Sequence, residues 1–243
     1  MAPHDGHEAG VSIEVAMNAP VDTVWHWLRD PDAIRRWHGW QYEGLDEEIE
    51  VIYQAAQEGD EPYLLRIDGG DLFRLLDNGL TTTVTVSRPP RAEGDEEWAD
   101  WHDDITQGWM AFLQQLRFAL EREPVRERRT LYFSGAGLPT VPPLQGLGVE
   151  ARQAGQPYAA TGHPDLRGEV WHVTALQVGL TIDSLGPGLL VVLEIPASEH
   201  APEGAMQAIL TTYGLDDATL ATVRDEWSAW WRTSYPDADA ATG

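Results

Sequence analysis

The stretch "DITQGWMAFLQQLRFALERE" at residues 104–123 constrains the fold most, because its apolar residues recur at helical spacing along one side. About 18 residues at 1.5 Å each give a helix of about 27 Å, which is long enough to cross a β-sheet. Gly108 inside this helix costs about 1 kcal/mol relative to alanine, so we expect another element to pack closely against it. Gln114, Gln115 and Arg117 are expected to face away from the sheet. The predicted apolar stripe consists of Ile105, Trp109, Phe112, Leu113, Leu116, Ala119 and Leu120.

The residues before this helix predict two short helices and several strands. Pro20 suits a first helical turn, and Asp30-Pro31 is typical of the cap and first residue of a second helix. Asn78-Gly79 is a strong hairpin signal, and an acidic loop is expected over 92–104. The predicted helices cover 21–28 and 31–37, with Trp25 as core, and the predicted strands cover 11–17, 47–55, 63–68, 71–76 and 80–86.

The second half of the chain repeats this plan loosely. Strands are predicted at 128–134, 168–175, 176–183 and 188–195, a short helix at 206–213, and a last helix capped by Asp216. Residues 135–167 show no clear period. Two local similarities, "GWMAFL" to "EWSAWW" and "GLTTTVTVSRPP" to "GLLVVLEIPASE", suggest a duplication.

The order strand, two helices, strand meander, long helix predicts an α+β fold of the helix-grip type. In this fold a curved antiparallel sheet wraps around a long C-terminal helix. We expect one such domain over residues 1–125. Residues 126–243 are expected to form a diverged α+β second half, interpreted as a degenerate second copy.

The segments "APVDTVWHWLRDPDAIRRWHGW" (19–40) and "GWMAFLQQLRFALE" (108–121) resemble the START-like (SRPBCC) superfamily. The resemblance is to the group named after the C-terminal domain of the Hsp90 ATPase activator. The sheet region between them is shorter than in that family and lacks its glycine-rich segment. The resemblance implies a cavity for small molecules between sheet and helix; relatives include lipid carriers, hormone receptors and polyketide cyclases. It implies a co-chaperone role only with an additional N-terminal domain, to which nothing here corresponds.

The predicted function is therefore non-catalytic binding of an apolar or amphipathic small molecule. Trp37 and Trp40 are expected at the mouth of the cavity, and the long helix and the strands opposite it are expected to form the walls. Because many of these side chains are large, a filled interior is an equal alternative. The predicted ligand-binding residues are Trp37, Trp40, Tyr53, Leu65, Ile67, Phe73, Thr83, Trp109, Phe112, Leu113 and Leu116.

Two other functions stay open at this stage. One is a protein-interaction or chaperone-associated module, in which the second half covers the opening. The other is a cyclase- or hydrolase-like enzyme, in which His172 would serve as a general base or Arg66 and Arg74 would hold a carboxylate. His172 is more readily interpreted as structural, and the two arginines as surface charges.

The amino-acid composition limits which binding partners and cofactors are plausible. A net charge of −24 disfavours nucleic acids and anionic membranes, because both would be repelled. All 16 basic residues are arginine and cysteine is absent, which excludes lysine Schiff bases, thiolate nucleophiles and disulfides. The eight histidines show no metal-binding spacing, so neither a metal nor a cofactor is expected. Without an apolar span or signal peptide, we expect a cytoplasmic protein, with a bacterial high-GC residue usage; a protein partner or homodimer stays open.

Overall fold

A computed structural model describes residues 12–54, 56–88, 96–122, 125–150, 153–160, 166–197 and 202–243 of the chain. The first half contains β1 (Ser12–Met17), α1 (Val21–Trp27), α2 (Pro31–Ile34), α3 (Leu45–Gln54), β2 (Gln57–Glu58), β3 (Leu64–Arg66), β4 (Leu72–Asp77), β5 (Thr82–Ser87) and α4 (Glu96–Arg122). The second half contains β6 (Arg128–Ala136), α5 (Pro143–Gly146), β7 (Pro157–Ala159), β8 (Arg167–Val173), β9 (Gln177–Thr181), β10 (Gly188–Ile195), β11 (Ala205–Tyr213) and α6 (Asp217–Arg232).

The strands form two antiparallel sheets with the same connectivity. The first sheet has the order β1-β5-β4-β3-β2, and the second has the order β6-β11-β10-β9-β8-β7. In each sheet the first strand pairs with the last one, and the remaining strands follow as a meander. A helix follows each sheet in the chain and packs on it, which is the helix-grip arrangement and confirms the α+β prediction. Of the two local similarities that suggested a duplication, the one between "GLTTTVTVSRPP" and "GLLVVLEIPASE" aligns β5 with β10, which are not equivalent strands.

The first sheet turns its apolar side towards α4. Along β1 and β5 every second residue is buried, so one face of each strand forms core and the other faces outward. Phe73 of β4 meets Trp109 of α4 edge to face, with ring centroids 5.1 Å apart. Leu113 and Leu116 of α4 are fully buried in the same core. The predicted apolar stripe therefore lies against the sheet.

The second sheet covers the other side of α4. Phe118 packs against Trp171 and Tyr213 of that sheet, with centroid distances of 5.3 and 6.2 Å. Gln114 and Gln115, which were expected to face away from the first sheet, are both buried rather than exposed. Amphipathic spacing identified the side of the helix that packs on the first sheet, but could not reveal that a second sheet covers the polar side.

The second sheet is buried on both faces, which explains its sequence. One face packs on α4, and the other packs on α6 through Trp230 and Trp231, which surround Phe133. A strand buried on both faces has no alternation and reads as a continuous apolar run. The prediction of a helix at 206–213 is wrong for this reason, because these residues belong to β11. The predicted cap of α6 is confirmed, as Asp216 accepts a hydrogen bond from the Thr219 amide at 2.8 Å.

Three further predictions of local structure need correction. Residues 47–55 were expected to be a strand, but Leu45–Gln54 is helical, because Leu45, Ile49 and Ile52 also fit helical spacing. The helix predicted from 104 begins at Glu96, within the expected acidic loop. In α1, Trp25 was expected in the core but is only partly buried, whereas Trp27 is buried.

No helix in the described ranges combines the length and apolar character needed to cross a membrane.

We predict that Phe118→Ala destabilises both sheets together. Phe118 is 2% exposed. It contacts the second sheet and lies on α4, the helix whose opposite side packs on the first sheet. Loss of a buried phenyl ring typically costs about 3–5 kcal/mol. Guanidinium unfolding followed by fluorescence and by circular dichroism should give one coincident transition at a lower midpoint. Leu80→Ala, at an 85% exposed position, is the control and should change stability by less than about 0.5 kcal/mol. Separate transitions of the two probes would contradict the shared core.

Candidate functional site

A cavity of about 450 Å³ lies between the first half of the chain and the second sheet. Its walls come from α3, a 3-10 turn at Asp68–Gly70, the middle of α4, and strands β10 and β11. A comparable cleft of about 510 Å³ beside β6 is lined by Ser134, Asp237 and Asp239 among others, and is more polar. The apolar wall of the 450 Å³ cavity consists of Trp40, Ile52, Ile67, Ile105, Trp109, Ala111, Phe112, Leu193 and Ile209.

Four of the eleven residues predicted to bind a ligand line this cavity: Trp40, Ile67, Trp109 and Phe112. Trp37 and Tyr53 lie behind the wall, where their rings meet that of His38 at 5.7 and 5.6 Å. Thr83 lies on the outer face of the first sheet, because β5 turns Thr82 and Val84 inward; its placement in the cavity is corrected. The remaining four, Leu65, Phe73, Leu113 and Leu116, are buried in the core without lining the cavity.

His38 is the centre of a polar network in the cavity wall. Its Nε2 lies 3.3 Å from Glu48 Oε1, and its Nδ1 lies 3.3 Å from the Tyr53 hydroxyl. The Tyr42 hydroxyl donates to Glu48 Oε2 at 2.5 Å. Burial raises the pKa of Tyr53 well above its usual value, and that of Tyr42 to about 12, so both phenols keep their protons. Both therefore act as hydrogen-bond donors.

The charge on Glu48 follows from the same contacts. Burial alone would raise the pKa of Glu48, but the hydrogen bonds from His38 and Tyr42 outweigh it and hold the pKa below its usual value. Glu48 is therefore a carboxylate at neutral pH, and both of its oxygens accept hydrogen bonds from the wall.

A buried ion pair closes another side of the cavity. Asp71 accepts from Arg88 Nε at 3.0 Å and from the indole N–H of Trp109 at 2.7 Å. Arg88 Nη1 donates in turn to the Thr106 hydroxyl at 3.1 Å. Asp71 follows Gly69 and Gly70, whose positive φ angles of 78° and 86° form the turn that brings the carboxylate inward. The pair links β4, β5 and α4, and orients the ring of Trp109.

Buried Arg128 holds the loop that carries His38 and Trp40. Its guanidinium donates to the backbone carbonyls of Arg35, His38 and Gly39 and to the side-chain oxygen of Gln115. Burial lowers the pKa of Arg128 to about 10, which leaves it charged at neutral pH. Trp40 then stacks on Tyr132 of β6, with centroids 3.9 Å apart and planes 7° from parallel.

The polar residues proposed for catalysis or carboxylate binding lie elsewhere. Arg66 and Arg74 are exposed on the first sheet, where Arg74 pairs with Glu61. His172 is buried between α4 and the second sheet, and its ring lies over Gly179, where a Cβ would come within 2.3 Å of Nδ1. Burial, with a contribution from the charge of Arg117, lowers the pKa of His172 to about 4. None of the three lines the cavity.

Gly108 does not mark the close packing that we expected. A Cβ there would meet only the Phe112 ring, at 3.8 Å, which is ordinary van der Waals contact. The position instead opens onto the cavity. Among the described residues no group of three acidic or histidine side chains is arranged to hold a metal ion.

Sequence reasoning missed the polar residues of the wall and the whole contribution of the second half. His38 stands in "RRWHGW" without a charged neighbour on its C-terminal side, and Glu48 stands in a segment interpreted as a strand. Asp71 and Arg88 flank strand ends, where isolated charges are common. Leu193, Gln207 and Ile209 belong to strands that pack near α4, and no local sequence pattern reveals this packing.

Comparisons with known proteins give distant structural likeness and no sequence relative. No protein-family model matches the chain, and no curated protein matches it. DynU16, from the dynemicin biosynthetic locus, is 17% identical with a TM-score of 0.31 over 93% of this chain and 96% of its own.

Two further solved structures are described as di-domain ARO/CYC proteins. BexL, from the BE-7585A pathway, is 13% identical with a TM-score of 0.32 over 93% of each chain. StfQ, from the steffimycin pathway, is 11% identical with a TM-score of 0.32 over 88% of this chain and 87% of its own. At these TM-scores the likeness carries no argument about function, and the helix-grip fold rests on the strand order and helix positions described above.

We predict that Asp71→Asn destabilises the protein by about 3–5 kcal/mol. The change removes a carboxylate that pairs with the buried guanidinium of Arg88, which is 4% exposed. Asp68→Asn, three residues earlier and exposed, provides the matched control and should cost less than about 0.5 kcal/mol. Urea unfolding at neutral pH measures both. Equal stabilities of the two variants would contradict the importance assigned to the ion pair.

We predict that His172 makes the protein less stable as the pH falls from about 6.5 towards 4. In that window the unfolded chain binds a proton at this histidine while the folded state, with a pKa of about 4, does not. His172→Leu removes this difference. The unfolding free energy of wild type should therefore fall relative to that of the variant by about 2–3 kcal/mol between pH 7 and pH 4.5. Parallel pH profiles for the two proteins would refute the assignment.

Proposed function

We propose that this protein binds an apolar or amphipathic small molecule in the 450 Å³ cavity, without catalysing a reaction on it. The observation that carries the proposal is the cavity itself: an apolar wall with a few polar groups, at the volume typical of small-molecule sites. Trp109, Phe112 and Trp40 offer flat rings against which an apolar body can pack.

The polar groups in the wall support binding more than chemistry. Asp71 and Arg88 bond to each other, and both ring nitrogens of His38 lie near partners in the wall. His172, Arg66 and Arg74, on which the catalytic alternative depended, lie outside the lining residues. The preformed opening beside α4 likewise favours a ligand over the alternative of a filled interaction module.

We further propose that the two halves, residues 1–125 and 126–243, act as one binding unit. Leu193, Gln207 and Ile209 of the second half line the same cavity as α3 and α4 of the first. The second half would then complete the site rather than bind independently. The order of strands in both sheets supports an origin by duplication.

We also infer membership of the START-like superfamily, and within it of the group related to the Hsp90 activator. Support comes from the positions of the two matching segments. Residues 19–40 form α1, α2 and the loop to Trp40, and 108–121 form the buried part of α4. Both segments contribute to the cavity wall, the first through His38 and Trp40 and the second through residues 108–112.

Native mass spectrometry of freshly purified protein tests the proposed function. We expect a bound small molecule, or saturable binding of the neutral dye Nile red at one molecule per chain after delipidation. A protein with no additional mass that also gives no saturable dye signal would refute the proposal.

We predict that Gly108→Leu abolishes dye binding while the protein stays folded. A leucine side chain at this position extends into the cavity, since a Cβ there meets nothing closer than 3.8 Å. Gly108→Ala is the matched control: it adds helix propensity, worth up to about 1 kcal/mol, but leaves the cavity open. We expect the alanine variant to be more stable than wild type and to bind Nile red within about twofold of it. Loss of at least tenfold in affinity should be confined to the leucine variant, and equal binding by both variants would place the dye elsewhere.

A further inference from the structure

We propose that the ligand carries a positively charged amine, which binds beside Glu48, joined to an apolar body that fills the cavity. This inference rests on the proposed function and narrows it to a class of ligand. It follows from the balance of charges in the wall and from the aromatic groups that surround them.

The charged groups lining the cavity do not cancel. Arg88 and Asp71 form an ion pair, which leaves the carboxylates of Glu48 and Asp68 in the wall. Asp68 lies exposed at the mouth, whereas Glu48 is only partly exposed and lies deeper, on α3. Among the described lining residues, three carboxylates stand against one guanidinium, and this excess of negative charge favours a cationic guest and disfavours a carboxylate or phosphate.

The hydrogen-bond partners of Glu48 are a phenol and an imidazole rather than a guanidinium. Tyr42 donates from a phenol, and His38 donates from Nε2 when Nδ1 accepts from Tyr53. The Tyr53 hydroxyl needs such an acceptor because it is protonated, and His38 Nδ1 is the acceptor that the described residues provide. Glu48 is thus a partly buried carboxylate that is hydrogen-bonded but has no arginine partner among the described residues.

Each oxygen of Glu48 retains room for a further donor, since a carboxylate has about four lone-pair sites and two are occupied. An ammonium group supplies donors and charge together, and such charge-assisted hydrogen bonds are the stronger ones. The net charge of −24 on the chain also attracts cations towards the mouth at low ionic strength.

Aromatic rings flank the position where the amine would bind. The His38 ring, bonded to Glu48, lies 5.0 Å from Phe112 and 5.7 Å from Trp109 by ring centroid. The electron-rich faces of phenyl and indole groups attract cations. A ligand with an ammonium group next to an aromatic or aliphatic body would therefore satisfy the charge of Glu48 and the apolar wall at the same time.

Three probes that share a naphthalene body test this inference: 2-(2-naphthyl)ethylamine, 2-(2-naphthyl)ethanol and 2-naphthylacetic acid. Isothermal titration calorimetry at pH 7.5 and low salt measures their affinities for the full chain. We expect the amine to bind about tenfold more tightly than the alcohol, and the acid to bind more weakly than both. In Glu48→Gln the amine should lose its advantage over the alcohol, while the far-UV circular dichroism spectrum matches that of wild type.

Glu47→Gln is the matched control, because it removes the same charge from the adjacent, exposed position on α3. It should preserve the preference for the amine. An amine that binds no better than the alcohol, or a preference that survives Glu48→Gln, would overturn the inference and leave the proposed function standing. Failure of all three probes and of Nile red to bind would overturn both. A circular dichroism spectrum and an unfolding midpoint that match those of wild type show that Glu48→Gln is folded.

Discussion

The site depends on one buried cation, Arg128. Among the described residues its guanidinium has no carboxylate partner and is held instead by three backbone carbonyls of residues 35–39 and by Gln115. A buried charge is costly unless it is well hydrogen-bonded, so the loop, α4 and β6 are tied to one relative position. That position turns His38 and Trp40 towards the cavity. The first residue of the second sheet thus fixes a loop that belongs to the first half.

A single face of α4 explains why the interior is open at one end and filled at the other. Gly108, Ala111, Gln115 and Phe118 follow one another at spacings of three and four residues and so lie on one side of the helix. The two small residues line the cavity, whereas Gln115 bonds to Thr211 and Phe118 packs on Tyr213. Side-chain size along this face therefore sets where the second sheet touches the helix. The interior is therefore a cavity at the Gly108 end of this face and filled at the Phe118 end, so each of the two alternatives describes one part of the molecule.

The sequence predicted the fold well where one face of an element meets solvent. The alternation in β1 and the stripe on α4 identified the first sheet and its helix, and Asp216 identified the start of α6. Prediction failed where burial is two-sided. Residues 206–213 have no alternation because β11 is covered on both faces, and Gln115 resembles a surface residue although it is fully buried. In both places the residues are buried by a segment that is distant in the sequence, and local periodicity cannot reveal such a segment.

The candidate site was harder to predict for a related reason. The aromatic members, Trp40, Trp109 and Phe112, could be selected because large apolar residues near a sheet and a helix must lie inside. The polar members have no such signal, since a lone Glu or His is usually a surface residue. Glu48 becomes distinctive only through Tyr42 and His38, which lie six and ten residues away and converge because α3 is a helix rather than a strand. The misassignment of α3 therefore hid a carboxylate of the cavity wall. A correct helical period over 45–54 would have placed Glu48 on the same face as Leu45 and Ile52.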